Sequence, residues 1–440
     1  MPAPQFYRRF RSWRVLLILL GTIGTGCLVA PNAWAWYQLH AARSALSAFH
    51  PEVATRHLTN CFRMWPNCAE AHLLASRAAR QVEEFDEAGR HLRLAQHSLG
   101  GSSREVVLEW ALLQSAAGNS REVEAYLDLR AERDGDSRPL IWEALIQGHI
   151  RVYRVLDALA LADHWLRVDP DNVRALELRG LAYQHGKSAH KGTEDLRRVI
   201  ELDPTRDGTR WRLVLALLHM GKYDEALTHL RYIEPRRPND PDVQVRIARC
   251  NNLLGDGELA RRVLDAALEA HPEHGLALRT RGQFALADRQ PEEAERWLRR
   301  AKKVWPNDYQ VQWFLFQSLQ QQSKTEPARL ELLEAERLKE RAERLGELSS
   351  RKLSERPLDP ALHYEMGILL LHNGHGSAGE GWLLSALNLS PDHQPAHAAL
   401  AEYYQRLGDE KRAALHRLRA ADPPSGKSAP ARQGRDAANP

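Results

Sequence analysis

Residues 207–240 read DGTRWRLVLALLHMGKYDEALTHLRYIEPRRPND, and the organisation of the chain follows from this stretch. Apolar residues recur at helical spacing on both sides of Gly221-Lys222. Pro238 closes the second run because its ring cannot continue a helical hydrogen-bond ladder. The stretch is therefore two helices joined by a tight turn. Pro238 has counterparts in Pro170, Pro204, Pro272 and Pro306, at successive intervals of 34 residues. Pro66 lies 104 residues before Pro170, three periods with a small insertion, and Pro391 lies 34 after Pro357. A fixed period of this length means one helix pair stacked many times.

The interior of the period repeats as well. The turn Gly221-Lys222-Tyr223-Asp224-Glu225-Ala226 returns as Glu83-Glu84-Phe85-Asp86-Glu87-Ala88 and, shortened, as Pro291-Glu292-Glu293-Ala294. With the proline counted as position 32, position 8 is Gly180, Gly282 and Gly367, or Ala248 and Ala401. Position 27 is Ala95, Ala267, Ala301, Ala386 and Ala420, and Leu213, Leu230, Leu264 and Leu298 fill positions 7 and 24. Small residues at 8, 20 and 27 let two helix backbones approach, and the leucines fill the remaining space.

This pattern resembles the tetratricopeptide repeat (TPR) family over nearly the whole chain after its N-terminal segment. The resemblance implies an all-α fold, a right-handed superhelical solenoid of about eleven helix-turn-helix units between residues 35 and 423. One pair cannot bury its apolar face alone, so each unit is stabilised by its neighbours. The third unit departs from the pattern, with Gly100 where proline belongs and extra residues around Asp134-Gly135-Asp136. The ninth departs further: Pro306 to Pro357 spans 51 residues, 34 plus 17. The surplus lies in 326–356, dense in Glu, Arg and Lys, with Leu330, Leu333, Leu338, Ala342 and Leu345 at helical spacing. An overlong helix projecting from the array is expected there, either a solvated face or a docking or dimerising helix. Residues 424–440, opening Pro424-Ser425-Gly426, read as a disordered tail.

Residues 1–14 are basic, with Arg8, Arg9, Arg11 and Arg14, and an apolar run from Val15 to Ala30 follows. No acidic residue precedes Glu52, and Trp13 at one end with Trp34, Trp36 and Tyr37 at the other suit two membrane interfaces. A transmembrane signal-anchor helix is expected at 15–36, with the solenoid filling 37–423. The arginines place the N-terminus inside and the repeats outside, as a single-pass protein of the cytoplasmic (inner) membrane. Two readings compete with the uncleaved anchor. Ala33-Trp34-Ala35 resembles a signal-peptide cleavage site, and Gly26-Cys27 resembles the end of a lipobox. The anchor is preferred because the first repeat begins near Ala35, leaving no linker.

Composition narrows the function. Formal net charge is +4 with opposite signs interspersed, so no concentrated basic stripe for nucleic acid is implied outside the N-terminus. The four cysteines, Cys27, Cys61, Cys68 and Cys250, fit no zinc or redox spacing. Cys61 falls where a repeat needs a small buried residue, although Cys61 and Cys68 could pair in an oxidising compartment. The pairs His271/His274 and His372/His375 fall in turns, and no H-E-x-x-H, G-x-S-x-G or phosphate-loop motif occurs. The repeats take up the chain. No catalytic residue, metal, cofactor or small-molecule substrate is expected, and the chain reads as a non-enzyme.

In TPR arrays the first helix of each unit lines the concave groove through positions 2, 5, 9 and 12. The resemblance therefore implies a peptide-binding face of Arg77, Arg80, Gln147, Arg151, Arg174, Gln184, Trp211, Arg249, Asn252, Arg279, Gln283, Trp313, Gln317 and Gln320. Guanidinium, amide and indole groups suit protein or extended-peptide partners. The Lys/Asn set with which chaperone-binding members clamp a C-terminal carboxylate has no counterpart here. The whole resembles bacterial membrane-anchored TPR proteins, which implies a scaffold in a cell-envelope, secretion or polysaccharide-export assembly. The alternatives are an RNA-binding helical repeat of period 35, against which the interval of 34 speaks, and a secreted or lipoprotein adaptor after signal cleavage.

Overall fold

A Cβ added at Gly282 would stand 2.6 Å from Leu298 Cγ, and one added at Gly367 would stand 2.7 Å from Leu383 Cγ. These distances are the physical content of position 8. In these two pairs a glycine lets the leucine at position 24 of the partner helix reach the backbone, and both leucines are fully buried. The computed structural model describes residues 31–119, 123–185, 189–348, 352–353, 356 and 358–421.

Helices alternate as first and second members of successive pairs. They begin with α1 (31–47) and α2 (Pro51–Phe62), α3 (Ala69–Gln81) and α4 (Phe85–Ser98), α5 (Arg104–Ala116) and α6 (Glu124–Arg133). There follow α7 (Arg138–Arg151) and α8 (Val155–Val168), α9 (Val173–His185) and α10 (Ala189–Leu202), α11 (Asp207–His219) and α12 (Tyr223–Ile233). Next come α13 (Pro241–Leu253) and α14 (Gly257–Ala270), α15 (Gly275–Ala287) and α16 (Pro291–Val304), α17 (Tyr309–Gln321) and α18 (Thr325–Glu347). The last pairs are α19 (Pro360–His372) with α20 (Gly376–Leu389), and α21 (Gln394–Arg406) with α22 (Glu410–Ala421). No strand occurs among the described residues. The described turns inside pairs put one residue into the left-handed region, Gly221 (φ 72) and Gly255 (φ 99) among them.

The chain divides into two compact units. The first runs to His149 and takes in Ala160–Val168; the second comprises Ile150–Leu159 and the chain from Asp169 onward. In the first, Leu39, Leu46, Leu58, Cys61 and Leu74 form one core cluster, and Leu112, Leu127, Ile141 and Leu145 contribute to another. In the second, Leu213, Leu217, Leu230, Val243 and Cys250 pack together, as do Leu264, Leu278, Phe284 and Val311. Burying each such side chain stabilises the stack by about 1.5–3 kcal/mol before the entropy of ordering it is counted.

A feature beyond the apolar pattern joins neighbouring pairs. Position 4 of the first helix reaches back six residues to the carbonyl of the repeat proline. Arg210 donates to the Pro204 carbonyl at 2.9 Å and Gln312 to that of Pro306 at 3.0 Å. His72 and Pro66 meet at 3.0 Å, His397 and Pro391 at 2.9 Å. A histidine 19 residues on accompanies three of these: His91 at 3.0 Å from His72, His229 at 3.1 Å from Arg210, His416 at 2.8 Å from His397. The proline loop is thus tied down by a side chain.

Two expectations need correction. The helix expected over 326–356 is α18, overlong as expected at 23 residues, but it ends at Glu347 and the stretch beyond its last turn is packed. Ala328, Glu331, Ala335 and Leu338 are buried along it, while Leu330, Leu333 and Ala342 are exposed. Leu348 and Leu353 join Leu362, Met366 and Leu370 in a core cluster, with Leu345 packed against it. Arg344 pairs with Glu365 on α19. Of the leucines that continue the helical spacing, Leu345 is covered by α19, while Leu330 and Leu333 stay exposed.

The boundary at residue 36 also moves. Most of the expected span 15–36 lies outside the described residues, as does the tail 424–440. Residues 31–36, however, belong to α1, the first helix of the first pair. Ala35 is fully buried there, and Trp65 Nε1 donates to Asn32 Oδ1 at 2.9 Å. Among the described residues no helix is long and apolar enough to cross a membrane. Trp34, Trp36 and Tyr37 are exposed on α1.

Candidate peptide-binding groove

Most of the arginines at groove positions are committed to carboxylates within the stack. In the first unit Arg80 is only 1% exposed, donating to Glu143 Oε2 at 3.3 Å and to Gln147 Oε1 at 3.2 Å. Arg80 is therefore part of the interior, and it engages Gln147. Arg77, half-buried, donates through Nε to Glu109 Oε1 at 3.0 Å.

The second unit shows the same economy. Arg279 Nη1 donates to Asp308 Oδ2 at 2.7 Å, and Arg151 Nη2 approaches Glu380 Oε2 at 3.5 Å. Arg174 donates to Glu177 at 3.3 Å, and Arg206 at 3.2 Å with the Thr209 hydroxyl completes the shell of that carboxylate. Burial alone would raise the pKa of Glu177; the two guanidinia and the hydroxyl outweigh it and hold the carboxyl below its usual range.

Arg249 differs. It is exposed and, among the described residues, makes no hydrogen bond or ion pair. Partial desolvation, then the like charges of Arg279 and Arg246, lower its pKa from the usual arginine value. A guanidinium that is wet yet crowded is what a concave surface produces. Those two arginines hold carboxylates of their own, Asp308 on Arg279 and Asp242 on Arg246, each at 2.7 Å. Among the described residues Arg249 has no carboxylate partner of its own.

Aromatic and apolar groups lie on the pairs around it. Trp211 is half-buried against the core of its pair, with Arg246 4.8 Å and Arg237 5.6 Å from its ring centre. Such stacking fixes the ring's orientation. Trp313 is likewise half-buried, its ring 5.3 Å from Phe316 and 6.3 Å from Tyr309. Gln283 and Gln320 are exposed, whereas Gln184, Asn252 and Gln317 are half-buried.

Three residues of this face escaped the sequence reading. Leu215 and Leu253, 40% and 52% exposed, are open apolar residues on α11 and α13, and Arg246 braces Trp211. The signal for Leu215 was present: it holds position 9 of its repeat, the position that Arg249 holds in the next.

Among the described residues no group of three His, Cys, Asp or Glu could hold a metal ion. His274 caps α15 by accepting from the Ala277 amide at 3.3 Å, and His271 Nε2 meets the Asn239 carbonyl at 2.8 Å. Cys61 is buried, Cys68 half-buried, and both are free thiols. A shallow cleft of about 400 Å³ beside Val107, Tyr126 and Leu129 lies in the first unit.

A stack of helix pairs presenting arginine, indole and amide groups on its first helices defines a helical-repeat interaction protein. The tetratricopeptide repeat family model matches residues 211–272 and 253–309. The matched stretch, residues 211–309, thus carries tetratricopeptide repeats, a repeat family that generally serves as non-catalytic scaffolding for protein–protein interaction. No curated protein matches it. Among solved structures it is similar to MamA, with 17% identity over 36% of this chain and 94% of the other (TM-score 0.33). It is similar to PilW, a type IV pilus biogenesis factor, with 17% identity over 43% and 89% (TM-score 0.39). It is also similar to yeast Tom70, with 15% identity over 88% and 84% (TM-score 0.35). At these TM-scores the likenesses carry no argument about function.

Proposed function

We propose that this chain is a membrane-tethered, non-catalytic scaffold that holds an extended protein segment against the first helices of its second unit. The observation that carries the reading is Arg249, exposed and without a carboxylate, on a helix flanked by Trp211 and Leu215 before it and Arg279 and Trp313 after it. An extended segment bearing an acidic residue among apolar ones fits that sequence of groups. The four arginines ahead of the apolar run 15–30 support the tether, with the repeats on the far side of the membrane from the N-terminus. A place in a cell-envelope, secretion or polysaccharide-export assembly is the context this topology suits.

The test is crosslinking and affinity capture from native membranes, comparing the parent with the variant Trp211→Ala, Arg249→Ala, Trp313→Ala. Partners lost by a variant of unchanged helix content support the groove. An identical partner set moves the binding surface elsewhere and overturns the reading.

A further inference from the structure

Residues 150–159 and α20 lie in the same compact unit although they are far apart in the chain. The Ser385 hydroxyl donates to the Val152 carbonyl at 2.5 Å across 233 residues of sequence. Beside it the Tyr153 ring stacks on Trp382, with centroids 3.8 Å apart and planes at 18°. Arg151 approaches Glu380 at 3.5 Å, and the Tyr404 hydroxyl donates to that carboxylate at 2.7 Å.

Two details show that sequence has been fitted to this contact. Tyr153 takes φ 57 at the turn between α7 and α8, a place held by Gly221, Gly255, Gly374 and Gly408 in some pairs and by Phe49, Glu83, Arg289 and Ser323 in others. A tyrosine in the left-handed region is strained, and its stacking on Trp382 offsets that strain. The second detail is Gly381. A Cβ there would stand 2.7 Å from the Arg151 carbonyl oxygen, with Tyr153 Cε2 at 3.6 Å and the Arg151 carbonyl carbon at 3.9 Å as its other nearest atoms. Beyond the backbone of its own helix, the three atoms nearest to that Cβ all lie on the far side of the contact.

The contact is small and lies outside any helix pair. Repeats are stabilised by their immediate neighbours, so releasing it leaves each pair folded. The first helices that carry Trp211, Arg249, Arg279 and Trp313 fall, in chain order, between its two ends. We propose that this contact is a clasp that holds the second unit closed across its groove and opens to admit a bound segment. The gating role rests on the groove reading above; the closure itself does not.

Gly381→Ala tests it. The substitution raises helix propensity in α20 and places one methyl group solely against the clasp. Spin labels at Leu156→Cys and Ser377→Cys, both exposed, report the distance across the clasp in the full chain, with the native cysteines replaced by alanine. The parent is expected to give one short, narrow distance. Gly381→Ala, and Trp382→Ala as a second variant, are expected to shift about tenfold more of the population to a longer, broader one. That is the factor implied by loss of one aromatic stack. A long distance in the parent, or identical distributions in all three with helix content unchanged, overturns the clasp. Crosslinking of partners through the groove in native membranes is expected to rise in Gly381→Ala. An opened clasp with no such rise overturns the gating and leaves the closure standing. Absence of groove crosslinks in the parent would instead mark failure of the groove reading.

Discussion

Arg80 donates to Glu143 Oε2 at 3.3 Å across 63 residues of sequence, and the two side chains are 1% and 0% exposed. Gln81 donates to the same oxygen at 3.1 Å. A buried ion pair need not exceed an apolar pair in stability, because both charges were taken out of water; removing one partner leaves the other charged and unpaired.

Glu143→Ala should therefore destabilise the first unit by about 3–5 kcal/mol, and Arg80→Met with Glu143→Leu should recover most of that loss. Denaturant unfolding followed by hydrogen exchange in α3 and α7 reads both. Equal losses in the single and double variants would contradict the argument.

At Gly282 the added methyl of alanine meets Leu298 at 2.6 Å. Overpacking of about 1–3 kcal/mol is expected to outweigh the gain of at most about 1 kcal/mol in helix propensity. Gly282→Ala should lower the thermal midpoint of the second unit, and Leu298→Ala in the same chain should relieve the clash at the cost of a cavity.

The paired histidines set an acid limit. Burial, then the neighbouring His72, depresses the pKa of His91 to about 4, and burial, then His397, depresses that of His416 to about 4. In each pair the folded state resists the proton that the unfolded chain takes up near 6.5. Their contribution is therefore present above about 6.5 and falls away as pH drops from there toward 4. Thermal midpoints measured across that window should fall, and His91→Gln with His416→Gln should flatten the fall.

Thiol chemistry should follow burial. Burial is the main cause raising Cys250 to about 11, and it raises Cys61 as well, ahead of Cys68 and Glu70. In the folded protein a maleimide should label Cys68 well before Cys61 or Cys250, as peptide mass mapping would show. Rapid labelling of Cys250 would contradict the packing described for α13.

The array was legible because its physics is local and periodic. Proline spacing, turn composition and small residues at fixed positions all report on neighbours within one repeat. The groove was only partly legible. Arg77 and Arg279 were at the right positions, but their carboxylate partners could not be read from one helix face. Arg77–Glu109 and Arg279–Asp308 join positions 32 and 29 residues apart. A carboxylate about one repeat away is thus the sign that an arginine belongs to the stack, and it would have set Arg249 apart. Helix α18 was misread because its leucines were assigned to a free face when α19 covers part of them. The contact between Val152 and Ser385 left no signal, since nothing periodic joins residues 233 apart.

The most direct test of the groove places a photocrosslinking amino acid at Arg249 and, separately, at Arg262, which is exposed on a second helix of the same pair. Both proteins are irradiated in native membranes. The account expects a protein adduct at 249, weakened by raised salt as an uncompensated charge requires, and none at 262. Adducts at 262 alone, or equal adducts at both positions, would show that partners do not read this chain through its first helices.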